Sequence, residues 1–345
     1  MASLVRRADV EKESATLTAF LSRYLSRDAN EARYEWLYYK NPDGMARVWV
    51  ACAPHTDEII GVAAAFPRQL YLDGRILRGY VLGDFCIHPE HRSLGPALAL
   101  QKNSLEDLSG EGAGFVLDFP STSMLAIYKR LRIEATENMI RFAKPLRANR
   151  QIQQRISNKL AARAVASAAN VALRIRDAGL SRKSAWTITE ESTACGEEFT
   201  RASAEWSLGV GICTARTAQY LNWRFLQHPQ RRYGLLTARK EGKLCGFLIF
   251  HLAGEDGTVV DLLAQDDAVC KALLVETIEI GRHRGVNTLC APFLSSQGRR
   301  RLLEDCGFQP RESSPLVLLT LPWAGSCEPK QDAGRWYLTH GDRES

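Results

Sequence analysis

The stretch from Val81 to Ala97 runs Val-Leu-Gly-Asp-Phe-Cys-Ile-His-Pro-Glu-His-Arg-Ser-Leu-Gly-Pro-Ala. Its first seven residues are mostly apolar and are typical of a buried strand, which should end at His88-Pro89. Pro96 suits the first turn of a helix, because its missing N–H would have no partner there. The stretch therefore predicts a strand, a tight loop and a helix, in that order.

The start of this predicted helix is suited to hold an anion. Backbone amides of residues 93–97 have no intrahelical acceptor, and the helix dipole places partial positive charge at the same end. Gly95 and the small Ala97 let a bulky diphosphate approach the backbone, and Arg92 adds a charged donor. The loop therefore predicts a phosphate site, although a plain strand-to-helix turn has the same outline.

The loop resembles the acyl-CoA signature R/Q-x-x-G-x-G/A of the GCN5-related N-acetyltransferases (GNAT), as Arg92-x-x-Gly95-x-Ala97. The resemblance implies an α/β fold with a mixed, mostly antiparallel twisted sheet flanked by helices. It also implies acetyl-CoA as the acyl donor. The residues that it assigns to acyl-CoA binding are Phe85, Cys86, Ile87, Arg92, Ser93, Leu94, Gly95, Pro96 and Ala97.

The same resemblance implies a general acid. The family commonly has Y-x-x-L-G-F on a later helix, and this chain has Tyr128-Lys-Arg-Leu131-Arg132-Ile133. The tyrosine of that pattern lies near the CoA sulfur, where a phenol can protonate the departing thiolate. We therefore expect Tyr128 to be catalytic, with a purely core position as the alternative.

A base must take a proton from the attacking amine. Asp84 lies on the strand that leads to the loop, where the family often has an acidic residue or a water relay. If its side chain faces the cleft, burial would raise its pKa towards a useful range. If it faces a neighbouring strand, Asp84 is structural.

A second α/β run echoes the first. Trp-x-Tyr-x-x-Asn-Pro at 36–42 is matched by Trp-x-Phe-x-x-His-Pro at 223–229. The two tryptophans are 187 residues apart, and so are the two prolines. A repeated ancestral unit explains this echo. The second run has Asp266-Asp267 where the first has its glycine loop, and Leu303 where the first has a tyrosine. We interpret it as a degenerate copy that shapes the acceptor cleft.

These patterns predict two tandem GNAT-like domains joined by a long basic helix. We expect an acyl-CoA-binding domain at 1–146, a helical linker at 147–185, the degenerate domain at 186–322 and an irregular tail at 323–345. The tail leaves open whether Trp336 to Asp342 is tucked against the body or frayed.

The linker combines a regular apolar pattern with strong positive charge. Apolar residues recur every three or four positions, the spacing of one helical face, at Ile152, Ile156, Leu160, Ala164, Ala168, Val171 and Ile175. Nine basic residues lie between 147 and 183, against the single acid Asp177. A connecting helix with a solvated face is the simpler interpretation, and the alternative is a surface that contacts an anionic membrane, weakly, or a polyanionic substrate.

The bulk composition is that of a globular protein, and we expect it in the cytoplasm by default. The 345 residues are 45% hydrophobic with a net charge of +6, which is modest beside the basic footprint of nucleic-acid-binding proteins. This charge predicts no specific nucleic-acid partner. The nine cysteines form no C-x-x-C pair, so we expect reduced thiols and neither a metal site nor a disulfide framework. Neither a signal peptide nor a membrane-spanning run is expected.

Function follows from the resemblance. We expect an N-acyltransferase in which an amine, on a small molecule or a saccharide, directly attacks the thioester of acetyl-CoA. Two-copy proteins of this kind are similar to acetyltransferases of bacterial polysaccharide pathways, which suggests an amino sugar. The alternatives are a Fem-type transferase that uses aminoacyl-tRNA, and a scaffold without catalysis.

Overall fold

The computed structural model describes residues 4–54, 56–72, 74–180, 185–295, 298–320 and 336–343. Most of the tail predicted at 323–345 therefore lies outside the described residues. None of the helices in the described ranges is long and apolar enough to cross a membrane.

The first half and the linker alternate strands and helices. In chain order they contain β1 (Leu4–Arg7), α1 (Ser14–Tyr24), α2 (Glu31–Tyr34), β2 (Arg47–Cys52), β3 (Ile59–Leu72), β4 (Arg75–Ile87), α3 (Leu94–Gly110), β5 (Phe115–Asp118), α4 (Thr122–Arg130), β6 (Glu137–Pro145), α5 (Asn149–Arg155) and α6 (Lys159–Asp177).

The second half repeats this alternation. It contains β7 (Thr187–Glu191), α7 (Glu197–Val210), β8 (Ile212–Thr214), α8 (Ala218–Leu221), β9 (Tyr233–Lys240), β10 (Lys243–Ala253), β11 (Asp256–Ala264), α9 (Asp267–His283), β12 (Thr288–Leu294), α10 (Arg299–Asp305), β13 (Gln309–Thr320) and β14 (Trp336–Tyr337). The two echoed tryptophan motifs have equal structure, since α2 and α8 each continue into a π-helical turn, at Glu35–Tyr39 and Asn222–Leu226.

All strands of the described ranges belong to one mixed sheet. Its order is β1-β2-β3-β4-β5-β13-β6-β12-β11-β10-β9-β7, with β8 joining β3 to β14 at one side. Pairing is antiparallel throughout the described strands except for β4 with β5, β11 with β12 and β8 with β14. The mixed, mostly antiparallel α/β fold is as predicted.

The two halves exchange their last strands. β6 follows the first half in sequence but pairs with β12 of the second half, from Met139 opposite Leu294 onwards. In return β13 pairs with β5, with Val317 opposite Asp118. Each half therefore completes its sheet with a strand from the other half.

Each face of the first half's sheet carries its own core. Along β3, Val62 belongs to the core under α1 and α2, and Ala63 to the core under α3 and α4, as the alternation of side chains in a strand requires. A ligand that passes through this sheet would therefore meet residues of both cores.

The linker differs from the single long helix that we predicted. Its backbone is extended at Ile156, and Asn158 then caps α6 by accepting hydrogen bonds from the amides of Leu160 and Ala161. The linker is therefore two helices, because an asparagine side chain at that position competes for the backbone and starts a new helix.

Candidate functional site

A gap opens in the sheet between β4 and β5. The two strands pair in parallel only from Gly79 opposite Phe115 to Val81 opposite Leu117, and then separate. The strands separate at Asp84, where a φ of 46° and a register shift against β3 bend β4 away from β5. The edge of β4 beyond Val81 consequently faces β5 without a strand partner.

A cavity of about 470 Å³ occupies this gap and reaches both faces of the sheet. On the face of α3 and α4 it is lined by Gln101, Ser104, Met124 and Ile127. On the opposite face the first half contributes Arg33 and Trp36, and the second half contributes Arg224, His228, Gln230, Arg231 and Arg343. The cavity is thus built by both halves around the separated strands.

Asp84 lines the cavity, but its carboxylate is held by neighbours. Arg33 donates to both oxygens, over 2.7 and 2.8 Å, and the Tyr38 hydroxyl donates over 2.8 Å. A buried charge is costly unless it is paired and hydrogen-bonded, and the Asp84 carboxylate is both. The structure therefore places the predicted base in a fixed ion pair.

Asp118 is a second carboxylate in the gap, at the end of β5, which sequence reasoning did not single out. It is 7% exposed and lines the cavity. Burial raises the pKa of Asp118 to about 6, against a hydrogen bond from Tyr128 that lowers it. The signal in the sequence was a lone carboxylate that ends an apolar strand, Phe115-Val-Leu-Asp118.

Tyr128 lies directly behind Asp118. Its hydroxyl donates to Asp118 Oδ2 over 2.6 Å and accepts from Gln101 Nε2 over 3.2 Å, and the side chain is 1% exposed. Burial, and then the charge of Asp118, raise the pKa of Tyr128 well above its usual value. The predicted acid is therefore linked to the cavity through Asp118 and Gln101, which both line it.

The predicted phosphate loop has an open helix start. Helix α3 begins at Leu94, slightly earlier than predicted, and its N-cap residue Ser93 makes no side-chain capping bond. A Cβ built on Gly95 meets nothing within 4 Å, and Arg92 lies exposed with its Nε donating to the carbonyl of Ile87. The first amides of α3 are consequently not capped by a side chain of their own turn.

The other predicted acyl-CoA residues lie on β4 and in the first turn of α3. Phe85 lines the cavity, whereas Cys86 and Ile87 pair with β3 and are buried. Pro96 lies in the first turn of α3, and Ala97 is buried against the sheet. One strand-loop-helix unit thus carries all nine residues.

The matching helix start in the second half is closed. Asp266 caps α9 by accepting from the amide of Val269, and Asp267 forms an ion pair with Arg299. A carboxylate already occupies the position that an anionic ligand would take. The carboxylates of Asp266 and Asp267 would therefore repel a diphosphate at the start of α9.

The second half has its own gap, and the chain fills it. Strands β11 and β12 pair only from Asp256 to Thr258 and then separate. The C-terminal segment enters there, because Thr339 pairs with Phe293 of β12 and the Tyr337 hydroxyl donates to Leu262 of β11. Of the open alternatives for the tail, tucked against the body is correct for residues 336–343.

A family of known proteins matches the first half of the chain. Residues 5–134 match the family model described as an acetyltransferase (GNAT) domain. Among curated proteins, none matches this chain by sequence. The resemblance that rested on the loop and Tyr128 is confirmed for residues 5–134.

Solved structures match over nearly the whole chain. A conserved protein of Enterococcus faecalis V583, described as a probable N-acyltransferase, has a TM-score of 0.66 at 15% identity, covering 93% of this chain and 72% of the other. A GCN5-related N-acetyltransferase of Anabaena variabilis gives 0.66 at 13%, covering 92% and 72%. N-myristoyltransferase of Saccharomyces cerevisiae with bound myristoyl-CoA gives 0.57 at 13%, covering 96% and 83%. The fold is therefore shared along both halves.

Proposed function

We propose that this chain, whose residues 5–134 match a GNAT domain, is an N-acyltransferase that takes an acetyl group from acetyl-CoA. The observation that carries the proposal is the gap between β4 and β5, which opens into a cavity beside an uncapped helix start. The proposed donor site therefore lies in the first half alone, since the second half's gap and helix start are both occupied by its own residues.

The donor would bind along the strand-loop-helix unit. The diphosphate would lie on the amides after Ser93, with Gly95 giving room and Arg92 giving charge. The thioester would enter the gap beyond Val81, where the free edge of β4 offers backbone amides. Amides aimed at the thioester oxygen stabilise the negative charge that develops there during attack.

We propose Asp118 as the base in preference to Asp84. Both oxygens of Asp84 already accept hydrogen bonds from Arg33, whereas one oxygen of Asp118 accepts from Tyr128. A carboxylate with a pKa of about 6 is ionised at neutral pH and close to the range that general bases need. In this scheme Asp84 positions Arg33 at the wall of the cavity.

Asp118 and Tyr128, which are hydrogen-bonded to each other, would carry out both proton transfers of the reaction. The amine nitrogen attacks the thioester carbon, the C–S bond breaks, and the amine passes one proton to Asp118. Tyr128 gives its hydroxyl proton to the departing thiolate and regains one from Asp118. The Asp118–Tyr128 contact thus gives the tyrosine predicted from sequence a route to act as the acid.

The cellular setting that we propose is the cytoplasm. The described cysteines are all unpaired, and all but Cys290 are buried. Unpaired buried thiols fit a reducing compartment. The acceptor would be a small amine, and an amino sugar remains the suggestion from the two-copy resemblance.

Calorimetric titration with acetyl-CoA tests the donor site. We expect about one acetyl-CoA per chain for the wild type and none for Gly95→Glu, which places a negative charge at the diphosphate position. The control is Gly110→Glu at the other end of α3, where a Cβ also meets nothing within 4 Å. Titration with myristoyl-CoA under the same conditions shows whether the site prefers a short or a long acyl chain.

The outcomes separate the alternatives. Absence of binding by the folded wild type would refute the acyl-CoA site and favour the tRNA-dependent or scaffold alternatives. Two molecules per chain would mean that the second half is not degenerate. Loss of binding in Gly110→Glu as well would mean that the effect of Gly95→Glu is not local.

A further inference from the structure

We propose that helix α6 of the linker lies on an anionic lipid surface. The part of the predicted apolar stripe that lies on α6 faces solvent, since Leu160, Val171 and Ile175 are 76%, 56% and 69% exposed. The buried residues Ala162 and Ala166 lie on the opposite side of the helix. Helix α6 therefore packs on the protein through small side chains and presents its larger apolar ones to the surroundings.

The charged side chains of α6 border this stripe. At about 100° per residue, Arg163 and Arg174 lie along one edge of the stripe and Arg176 lies beyond the other. Every exposed charged residue of α6 is basic, because the one acid of the helix, Asp177, is buried. The outer surface of α6 thus combines apolar and cationic groups without an exposed carboxylate.

Most of these cations have no carboxylate partner in the protein. Within the described residues, Lys159, Arg163 and Arg174 make no ion pair, whereas Arg176 pairs with Asp177 over 3.1 Å. A purely apolar partner would leave these cations unpaired, and a purely polar polyanion would leave the stripe in water. The boundary between anionic headgroups and acyl chains satisfies both, so we choose a bilayer as the partner.

Vesicle sedimentation tests this surface. The protein should bind vesicles of phosphatidylcholine mixed with phosphatidylglycerol, and bind pure phosphatidylcholine at least fivefold less. Ile175→Glu should lose binding, whereas Leu208→Glu, at a residue that is also 69% exposed, should keep it. Equal binding by both variants, no binding by the wild type, or dimerisation that Ile175→Glu abolishes would overturn the proposal.

Paired charge variants locate the electrostatic part of the contact. Replacing Arg163 and Arg174 together by glutamine should weaken binding to the anionic vesicles at least fivefold. Replacing Lys129 and Arg130 of α4 together by glutamine removes the same charge from another exposed surface and should leave binding unchanged. Equal losses from the two double variants would show that the net charge of the protein, and not α6, determines binding.

A different observation concerns Arg343, which we infer to be a positioning residue that keeps the Asp118 carboxylate ionised and ready to accept a proton. The inference rests on the proposed function, in which Asp118 is the base. It also connects the second half of the chain to the chemistry of the first, because Arg343 ends the described part of the C-terminal segment that fills the second half's gap.

The Arg343 guanidinium lies at the end of β5. It stacks over the ring of Phe119, the residue after Asp118, at 5.4 Å from the ring centre, and both Arg343 and Asp118 line the cavity. Its Nε is buried, and within the described residues the guanidinium makes neither a hydrogen bond nor an ion pair. Burial lowers the pKa of Arg343, and the charge of Asp118 opposes this change. Asp118 is therefore the anion that compensates this partly buried cation.

The other groups that face Asp118 do not supply a positive charge. Tyr128 of α4 donates to its carboxylate, as does the amide of Phe119, and β13 places the apolar Val317 opposite it. Burial raises the pKa of Asp118, whereas these two hydrogen bonds and then the charge of Arg343 lower it. The remaining titratable or charged residues that line the cavity are Asp28, Arg33, Asp84, Arg224, His228 and Arg231.

Contacts of the second half hold the backbone on which Arg343 lies. The buried Arg216 pairs with Asp261 of β11 and with Asp342, the residue before Arg343. The Arg224 side chain donates to the carbonyl of Arg343 itself. The backbone of Arg343 is thus fixed in the second half while its guanidinium reaches the cavity of the first, so its position requires no ion pair of its own.

An NMR titration of the Asp118 side chain tests this contact without any substrate. The carboxyl carbon would be followed against pH in protein labelled with ¹³C-aspartate and assigned with Asp118→Asn. Arg343→Gln should raise the midpoint by roughly half a pH unit or more, because a nearby cation favours the ionised carboxylate. Arg343→Lys keeps the charge and should recover most of this change. Arg232→Gln, at an exposed residue that does not line the cavity, is the control and should leave the midpoint unchanged.

The results distinguish charge from structure. An unchanged midpoint in Arg343→Gln, or equal changes in the glutamine and lysine variants, would overturn the assignment. In assays of CoA release, the fall of kcat/KM at low pH should move to higher pH in Arg343→Gln by the same amount as the NMR midpoint. A uniform loss of activity without this movement would indicate a structural role and contradict the inference. A raised midpoint in a protein that acylates no amine would support the contact and refute the proposed function.

Discussion

Trp36 and Trp223 exchange hydrogen bonds across the contact between the two halves. The indole N–H of Trp36 donates to the carbonyl of Trp223 over 2.8 Å, and that of Trp223 donates to the carbonyl of Trp36 over 2.9 Å. Their rings stack with centroids 4.8 Å apart. The repeated motif of the sequence thus meets itself around a local two-fold axis, as in the interface of a symmetric dimer.

Removing either indole N–H should destabilise the protein by a similar amount. Trp36→Phe and Trp223→Phe each leave a buried carbonyl without its donor, which costs about 1–3 kcal/mol of unfolding free energy. Urea denaturation measures this. Trp206→Phe is the control, because Trp206 is buried but its indole makes no hydrogen bond within the described residues. Unequal losses would argue against the two-fold relationship.

Asp118→Asn should separate activity from stability. Loss of the general base should lower kcat by roughly 10²–10⁴-fold. Because the folded state raises the pKa of Asp118, the ionised group destabilises the protein above pH 6, and asparagine should add about 1–3 kcal/mol of unfolding free energy at pH 7.5.

Asp84→Asn provides the comparison for this prediction. It removes the buried ion pair between Arg33 and Asp84, so it should destabilise the protein. Stopped catalysis in Asp84→Asn together with normal activity in Asp118→Asn would restore Asp84 as the base.

The pH dependence of the reaction should follow Asp118. The base must be ionised, so kcat/KM should fall as pH decreases through an apparent pKa of about 6. In Asp118→Asn the residual activity should lack this step. Persistence of the step in that variant would assign it to another group. Rates of CoA release between pH 5 and pH 8 measure the profile.

Asp177, the single acid of the basic linker, should be essential for stability. It pairs with the buried Lys144 of β6 over 2.8 Å and with Arg282 of α9. Asp177→Asn leaves the buried Lys144 without its carboxylate and leaves Arg282 paired with Glu279 alone, which should cost about 3–5 kcal/mol. Asp256→Asn breaks the exposed pair with Arg150 and should cost at most about 1 kcal/mol. Similar losses in urea denaturation would contradict this.

Local patterns predicted the elements well, because their causes lie within a few residues. The strand, loop and helix around Arg92 follow from apolar runs and proline. The echo of Trp36 at Trp223 follows from similar residue types that recur at the same spacing. The linker was predicted as one helix and is two, since its apolar spacing continues across Asn158, where side-chain capping starts a new helix.

Long-range arrangements were not accessible in the same way. The sequence of an apolar strand such as β13 does not specify which strand it will pair with, so the exchange with β6 was not predicted. The position of Asp84 against Arg33 depends on a backbone bend that single residues do not encode. Likewise, Arg343 reaches the first half's cavity only because residues before it fill the second half's gap.

The strand exchange also governs when the protein can become native. Strand β5 waits for β13, whose Val317 lies about 200 residues after Asp118 in the chain. At translation rates of about 5–20 residues per second, that delay is roughly 10–40 s. During this time the edge of β5 is open to other strands, and such edges are a hazard for aggregation. The nascent chain should therefore depend on chaperones for its first half, and native contacts between β5 and β13 should form only after synthesis has passed Thr320.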